Sequence, residues 1–180
     1  MNLFVYSLFV CIAICLLLIW YINTYNRYQN YIIRINEAEA NIDSTLRKRF
    51  DLLNKSIGII KSNTEKETVL DTISNLRSKK LTNFELDRKL YEAINEFSKY
   101  KEDFPDLKTN EGYMKIDLGL SETEAEIVAS RKYYNDIITD YNKMVRTFPS
   151  NVVAKVSKYK VRTYFDGKNM NDEIINDFKL

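Results

Sequence analysis

A run of apolar residues near the start of the sequence, Leu3–Ile22, most constrains what this chain can fold into. As a helix the run would be about 30 Å long, which matches the hydrocarbon core of a bilayer. No charged side chain precedes Arg27, and aromatic residues cluster from Trp20 onward, as is typical of a membrane interface. A cleavable signal peptide would instead need a basic region and a small-residue cleavage site, and the sequence has neither. We therefore predict a transmembrane anchor in residues 1–24, which contacts lipid through residues 3–22.

The composition favours an all-α fold and argues against several classes of chemistry. The sequence has four glycines and two prolines, too few for the many turns of an all-β fold. It has no histidine, the usual general base and the commonest metal ligand. Its two cysteines, Cys11 and Cys15, both lie in the apolar run. The net charge of +2 gives no electrostatic case for nucleic acid. We expect no enzyme activity, no catalytic residues, no metal, no cofactor and no nucleic-acid partner.

After the anchor, the spacing of apolar residues predicts further helices. Steps of three and four residues continue over residues 28–60 without a turn signal, so the anchor helix should run on to about Lys61. Capping-box sequences at Thr64 and Thr82 then predict a second and a third helix, the third ending before Pro105. The apolar face of the second helix comprises Val69, Leu70, Ile73 and Leu76, and that of the third comprises Leu86, Leu90, Ile94 and Phe97.

The longest amphipathic pattern covers residues 113–148 and predicts a fourth helix. Its apolar seam comprises Leu120, Ile127, Tyr134, Ile138, Tyr141, Val145 and Phe148. Pro149 ends the pattern, because proline cannot donate the backbone hydrogen bond of an inner helical turn. The three aromatic members, Tyr134, Tyr141 and Phe148, should pack in the core. Because one seam cannot stabilise so long a helix alone, we predict an antiparallel up-and-down four-helix bundle over residues 25–150, continuous with the transmembrane helix.

Several motifs between Tyr25 and Phe165 form an ordered set that is hard to reach by chance. They are Glu37-Ala38, Ala40-Asn41-Ile42-Asp43, Arg49-Phe50-Asp51-Leu52, Phe104-Pro105-Asp106-Leu107-Lys108 with Asn110, Thr123-Glu124, Ile127, Arg131, Tyr134-Asn135, Tyr141-Asn142 and Phe148-Pro149-Ser150-Asn151. This set resembles the LemA family of bacterial membrane-anchored helical proteins. The resemblance implies a four-helix bundle behind one N-terminal span, with the short N-terminus outside, and leaves the molecular function open. Two positions depart from the family: Asn54 replaces a usual proline, and Thr64 replaces a usual histidine–glutamate pair.

Glu124 and Arg131 are the candidate site residues, because they interrupt a seam that should be buried and a buried charge must be paired. Glu39 on the first helix, with Asp43 as a further choice, is the expected partner. One interpretation is an ion pair that fixes the register of the helices. The other is a polar pocket between helices for a ligand. Asn142, one step off the seam, could hydrogen-bond across helices or recognise a partner.

Residues 151–180 comprise a basic-aromatic segment and a polar C-terminal tail. The cations of the segment are Lys155, Lys158, Lys160 and Arg162. If the four helices run alternately up and down, the segment returns to the bilayer, where these cations could contact the membrane surface. If the second and third helices instead form one in-line leg, the segment would lie about 50 Å from the membrane. The alternative to lipid contact is a solvated face beside a segment packed on the bundle.

The distribution of basic residues predicts the orientation and the location. None precedes the apolar run, whereas Arg27, Arg34 and residues 47–49 follow it, which places the N-terminus outside and the bundle in the cytoplasm. We therefore expect a single-pass bacterial membrane protein that acts as a non-enzymatic scaffold or docking module for unknown protein partners, with homo-oligomerisation as an option. One alternative is an envelope-stress or secretion accessory factor with its bundle on the outer face. Another is a ligand-binding or enzymatic pocket near Glu124 and Arg131.

Overall fold

The computed structural model describes residues 2–63 and 81–165. Within these two stretches the chain is helical apart from short connections, and neither stretch contains a strand. The prediction of an all-α fold is therefore confirmed. The predicted second helix, with its cap at Thr64, lies outside the described residues, as does the tail after Phe165.

The bounds of the helices follow the signals in the sequence. The described chain contains α1 (Asn2–Asn63), α2 (Asn83–Asp103), a 3₁₀-helix (Pro105–Thr109), α3 (Glu111–Arg146) and α4 (Ser150–Val156). The predicted capping box at the start of α2 is present: the Thr82 hydroxyl accepts from the Glu85 amide, and the Glu85 carboxylate accepts from the Thr82 amide. As predicted, α1 continues from the apolar run into the polar part of the chain, and it passes through Asn54 without interruption.

The N-terminal part of α1 is a candidate membrane span. Among the described helices, only α1 is long and apolar enough to cross a bilayer, and its apolar segment is not buried by any other part of the protein. Residues 3–19 are exposed, Trp20 and Tyr21 are half-buried, and the first fully buried side chain of α1 is Thr24. Partial burial therefore begins in the last turn of the predicted span of residues 3–22, and buried positions begin just after it.

The chain divides into two compact units, which we describe separately. Unit 1 comprises residues 2–37 of α1 together with residues 135–164, and thus the C-terminal part of α3, α4 and the segment that follows. Unit 2 comprises residues 38–134 and Phe165, and thus the C-terminal part of α1, all of α2 and the first part of α3.

In unit 2, α3 runs antiparallel to both α1 and α2. A Cβ atom added to Gly112 of α3 would lie 2.9 Å from Ile59 of α1, and one added to Gly119 would lie 3.2 Å from Leu52. Later residues of α3 therefore face earlier residues of α1, which means that the two helices are antiparallel. At the far end of α2, the rings of Phe97 and Tyr113 stack 4.4 Å apart, and the Tyr113 hydroxyl donates to the Phe97 carbonyl. Since α3 is antiparallel to both neighbours, α1 and α2 are parallel. The alternative of one in-line leg, in which α2 would oppose α1, is therefore wrong.

In unit 1, α3 and α4 pack against the part of α1 that follows the apolar segment. The Tyr28 hydroxyl donates to the carbonyl of Met144 at 2.6 Å and to that of Ser150 at 3.2 Å. The ring of Tyr28 also meets that of Tyr141 edge-on, with centroids 6.0 Å apart. Both Tyr28 and Tyr141 are buried, in line with the expectation that Tyr141 belongs to the core.

Phe148 does not belong to the core, and its assignment to the seam is corrected here. Its side chain is 81% exposed, because α3 ends at Arg146 and residues 147–149 form a turn before α4. The apolar repeat thus extends one step beyond the helix that carries it. Tyr134, seven residues before Tyr141 on the same seam, is buried as expected.

Candidate functional site

Arg49 is the central residue of a cluster of charges in unit 2. It lies on the face of α1 that also carries Leu46 and Leu53, both fully buried, and its own side chain is 0% exposed. Because α1 brings Arg49 into the core at helical spacing, its charge must be compensated by groups from the neighbouring helices. Its Nε donates to the Thr123 hydroxyl at 3.2 Å, and that hydroxyl donates in turn to the Leu120 carbonyl.

Asp87 on α2 is the buried carboxylate of the cluster. Arg131 on α3 donates from Nη2 to both carboxylate oxygens of Asp87, and Nη1 of Arg49 lies 3.9 Å from one of these oxygens. Burial raises the pKa of the Asp87 carboxyl above its ordinary value, and the nearby guanidiniums of Arg131 and Arg49 act in the opposite direction. Asp87 therefore accepts hydrogen bonds from one arginine and lies within ion-pair distance of a second.

Glu124 on α3 is the other carboxylate of the cluster and lies at its edge. It accepts from Nη2 of Arg49 at 2.5 Å, and its side chain is 48% exposed. We call Arg49, Asp87, Glu124 and Arg131 the ion cluster. With two cations and two carboxylates the cluster is formally neutral, and it links α1, α2 and α3 at one level of unit 2.

Two donors of the ion cluster have no hydrogen-bond acceptor within the described stretches. They are Nη1 of Arg49 and Nε of Arg131, and both atoms are buried. The guanidinium carbon of Arg131 lies 5.7 Å from the centre of the Phe165 ring, a cation–π distance, and that ring meets Tyr134 edge-on. Aromatic contact therefore covers one side of Arg131, while its Nη2 binds the carboxylate of Asp87.

A second cluster, of tyrosines, lies in unit 1. Tyr159, in the segment after α4, packs its ring against Tyr25 and Tyr28 of α1, with centroids 6.2 and 4.8 Å apart, and its hydroxyl accepts from the Gln29 side chain at 2.7 Å. We call Tyr25, Tyr28, Tyr141 and Tyr159 the tyrosine cluster. Burial raises the pKa of Tyr28, Tyr141 and Tyr159 above the ordinary tyrosine value, because the charged phenolate is poorly solvated there.

Comparison with known proteins identifies the family. The family model of the LemA family matches residues 38–176, which include all four members of the ion cluster. This chain belongs to the LemA family. Protein LemA of Metamycoplasma hominis is 33% identical to it over 148 residues. The aligned region covers 77% of this chain and 64% of that relative, so the chain spans less than two thirds of the relative's length. The LemA resemblance drawn from the motifs is thereby confirmed.

In this LemA chain, the two charges predicted on the seam of α3 both lie in the ion cluster, but with partners that the sequence did not suggest. Arg131 binds Asp87 of α2, and Glu124 binds Arg49 of α1. The prediction that Glu124 is buried is wrong. The adjacent Thr123 occupies the buried position, which leaves the Glu124 carboxylate at the edge of the cluster.

The expected partners on the first helix lie elsewhere. Asp43 binds Arg47, one turn later on the same helix, at 2.7 Å on the exposed surface. Glu39 is half-buried, and the fully buried position next to it belongs to Ala38. Position 39 is thus one step off the buried face of α1, and the partners that Glu124 and Arg131 have in the ion cluster are Arg49 and Asp87.

The sequence analysis did not select Arg49 and Asp87 as site residues, although the helical spacing of their apolar neighbours places both on buried faces. Arg49 is three residues after Leu46 and four before Leu53, which places it on the face that the same spacing predicted to be buried. Asp87 is three residues before Leu90 on the buried face of α2, whereas Leu86, which the prediction chose, is only half-buried.

Asn142 and the basic segment meet in unit 1. The Asn142 side chain donates to the Arg162 carbonyl and accepts from the Arg162 amide, both at 2.8 Å. This pair of bonds fixes the backbone after α4 on α3, so Asn142 acts between segments of the chain itself. The other predicted surface cations, Lys155, Lys158 and Lys160, are exposed.

Proposed function

We propose that this LemA-family chain is a non-enzymatic, single-pass membrane protein whose helical part docks another protein on the cytoplasmic side. The observation that carries the proposal is an exposed apolar stripe on α3, on the side of the helix opposite its buried residues. The stripe comprises Met114, Leu118, Ala125 and Val128, which fall on one face at helical spacing.

The docking proposal follows from how such a stripe behaves. Single exposed apolar residues are ordinary on protein surfaces, but several on one face of a helix, here interrupted at Ser121, are typical of a protein–protein contact. A partner helix would pack along Met114, Leu118 and Val128 as it would along any amphipathic groove. The ion cluster supports the same reading, since charges that link three helices favour a fixed register for the surface they carry.

The proposed orientation draws support from the residues that follow the apolar segment. Arg27 and Arg34 come next on α1, and unit 1 adds Lys155, Lys158 and Lys160 in the segment whose Tyr159 contacts Tyr25. Basic residues at one end of a span favour the cytoplasmic side. We therefore propose that the N-terminus is outside and that the helical part is cytoplasmic.

Site-specific photo-crosslinking in native membranes tests the docking surface. A photoreactive residue is placed in the full chain at Leu118 or at Ala125, and a matched control carries it at exposed Lys89 on α2. We expect both α3 positions to give one protein adduct of the same mass and the control to give none. An adduct of twice the chain mass would identify a second copy as the docked protein. Adducts to lipid alone, or the same adducts at all three positions, would contradict the proposal.

The orientation has a separate test. In a Cys11→Ser/Cys15→Ser background, a single cysteine replaces exposed Glu92, and intact cells are treated with a membrane-impermeant thiol reagent. We expect labelling only after the cells are permeabilised. Labelling in intact cells would place the helical part on the outer face, as the accessory-factor alternative requires.

A further inference from the structure

The segment after α3 returns to the place where α1 leaves its apolar stretch. Ser150 at the start of α4 accepts from Tyr28, and Tyr159 contacts both Tyr25 and Gln29. The span predicted from the sequence ends at Ile22, so these contacts lie one to two helical turns beyond it. Because α3 runs antiparallel to α1, its C-terminal end at Arg146, and the turn after it that carries Phe148, come back toward the end of the span.

The parts of unit 1 nearest the span carry charge of one sign. Residues 23–34 contain two basic residues and residues 141–164 contain six, and neither range contains an aspartate or glutamate. The eight are Arg27, Arg34, Lys143, Arg146, Lys155, Lys158, Lys160 and Arg162. A surface with cations and no carboxylates matches an anionic partner, and the nearest extended anionic surface is the headgroup layer of the bilayer that α1 enters.

The outward face of α4 is apolar as well as basic. Val153 and Ala154 are buried against unit 1, whereas Val152 and Val156, one turn apart on the opposite side, are 46% and 65% exposed. Lys155 lies between these two valines on the same side, and exposed Phe148 precedes the helix. A solvated surface accounts for the lysines but leaves the exposed Phe148, Val152 and Val156 without a role. A bilayer interface accommodates both the apolar and the basic side chains, because apolar side chains enter the acyl boundary while lysines reach the phosphates.

We propose that residues 148–162 form a second membrane contact, in which Phe148, Val152 and Val156 enter the interface and Lys155, Lys158 and Lys160 bind the phosphates of anionic phospholipids. The chain then contacts the bilayer at two places, through the span of α1 and through this interfacial segment. The membrane-contact proposal does not depend on which protein the α3 stripe docks. An experiment that contradicts one of the two proposals therefore leaves the other intact.

Depth-dependent fluorescence quenching tests the contact with the full chain in vesicles. In a Cys11→Ser/Cys15→Ser background, an environment-sensitive dye is attached at Val156→Cys, and a matched control carries it at Asp136→Cys on the exposed side of α3 in the same unit. The vesicles contain lipids with a nitroxide near the headgroup, and phosphatidylcholine is compared with a mixture that includes phosphatidylglycerol. The single tryptophan, Trp20, reports insertion of α1 in every sample.

We expect strong quenching of the dye at position 156 in the anionic vesicles, weaker quenching in phosphatidylcholine and none above background at position 136. High salt should weaken the anionic component, because the screening length falls to about 3 Å at 1 M. Lys155→Gln/Lys158→Gln/Lys160→Gln should remove the difference between the two lipid mixtures, whereas the matched Lys89→Gln/Lys99→Gln/Lys108→Gln should keep it.

Equal quenching at positions 156 and 136 while Trp20 is quenched would overturn the proposal. Absence of Trp20 quenching would overturn it too, since the contact requires an inserted α1.

Discussion

Arg49 has no exposed surface and yet carries a full charge, so its neighbours decide whether unit 2 is stable. The structure provides one buried carboxylate, Asp87, one half-exposed carboxylate, Glu124, and a threonine hydroxyl. Asp87 is the most constrained of these, because it is shared by the guanidiniums of Arg49 and Arg131. The ion cluster therefore links three helices through one side chain of α2.

Asp87→Asn should destabilise the protein by about 3–5 kcal/mol, because it leaves two buried or nearly buried guanidiniums without their shared counter-ion. Glu126→Gln removes half of the exposed Lys48–Glu126 ion pair and should change the stability far less, because water already solvates both groups. Denaturant unfolding of the full chain in detergent, followed by circular dichroism, measures both. Equal free energies of unfolding for the two variants would refute the central role of Asp87.

The tyrosine cluster predicts how stability depends on alkaline pH. The folded-state pKa values of Tyr28, Tyr141 and Tyr159 are raised above the ordinary value of 10.0 by burial. An unfolded chain therefore releases these protons first, and the stability present below pH 10 should fall as the pH rises through the folded-state values. Unfolding midpoints across this range, with tyrosinate absorbance as the second readout, measure the effect. Tyr28→Phe should reduce the slope, and a midpoint that does not change above pH 10 would contradict the assignment.

Among the elements, the helices were predictable wherever a local signal marked an end. The Thr82–Glu85 capping box and Pro105 mark the ends of α2, and the apolar spacing predicted the buried Ile127, Tyr134 and Tyr141 of α3. The sequence could not show where α3 stops before Pro149, because proline excludes a helix that continues through it but does not determine which earlier residue is the last helical one.

The ion cluster was predictable only in part. Periodicity reports which face of a helix is buried, and Glu124 and Arg131 were found in that way. It does not report which neighbouring helix supplies the opposite charge, since partners that are 44 and 75 residues apart meet only through packing. A charged residue on an otherwise apolar face is also easily assigned to solvent, which is why Arg49 and Asp87 were missed.

The glycines of α1 and α3 offer a test of the packing between these helices. A methyl group at Gly58 would have no atom within 4 Å, so Gly58→Ala should stabilise α1 by about 0.5–1 kcal/mol through helix propensity. At Gly119 the same change would bring a Cβ atom 3.2 Å from a methyl carbon of Leu52, so Gly119→Ala should gain less or lose stability. Thermal unfolding of both variants measures the difference, and a larger gain for Gly119→Ala would contradict the packing of α3 on α1.

At the scale of the whole molecule, the described residues combine the candidate span of α1 with helices that contact its base. The contacts that the described residues make just after the candidate span lie in unit 1, where α3 and the segment after α4 pack on residues 25–29 of α1. In this LemA-family chain the part of α1 that follows the candidate span is thus also a packing surface for α3 and for the segment after α4.

The return of the chain to the base of the span is the central claim, and cross-linking in native membranes tests it most directly. In a Cys11→Ser/Cys15→Ser background, cysteines replace Tyr25 and Tyr159, whose rings lie 6.2 Å apart, and a short bifunctional maleimide is added. A control chain carries Tyr25→Cys with Asp136→Cys, a position eight residues and about 12 Å before Met144 along α3. The account predicts an intramolecular cross-linked peptide pair for positions 25 and 159 and none for positions 25 and 136. A cross-link only in the control chain, or in neither chain although all cysteines react, would contradict it.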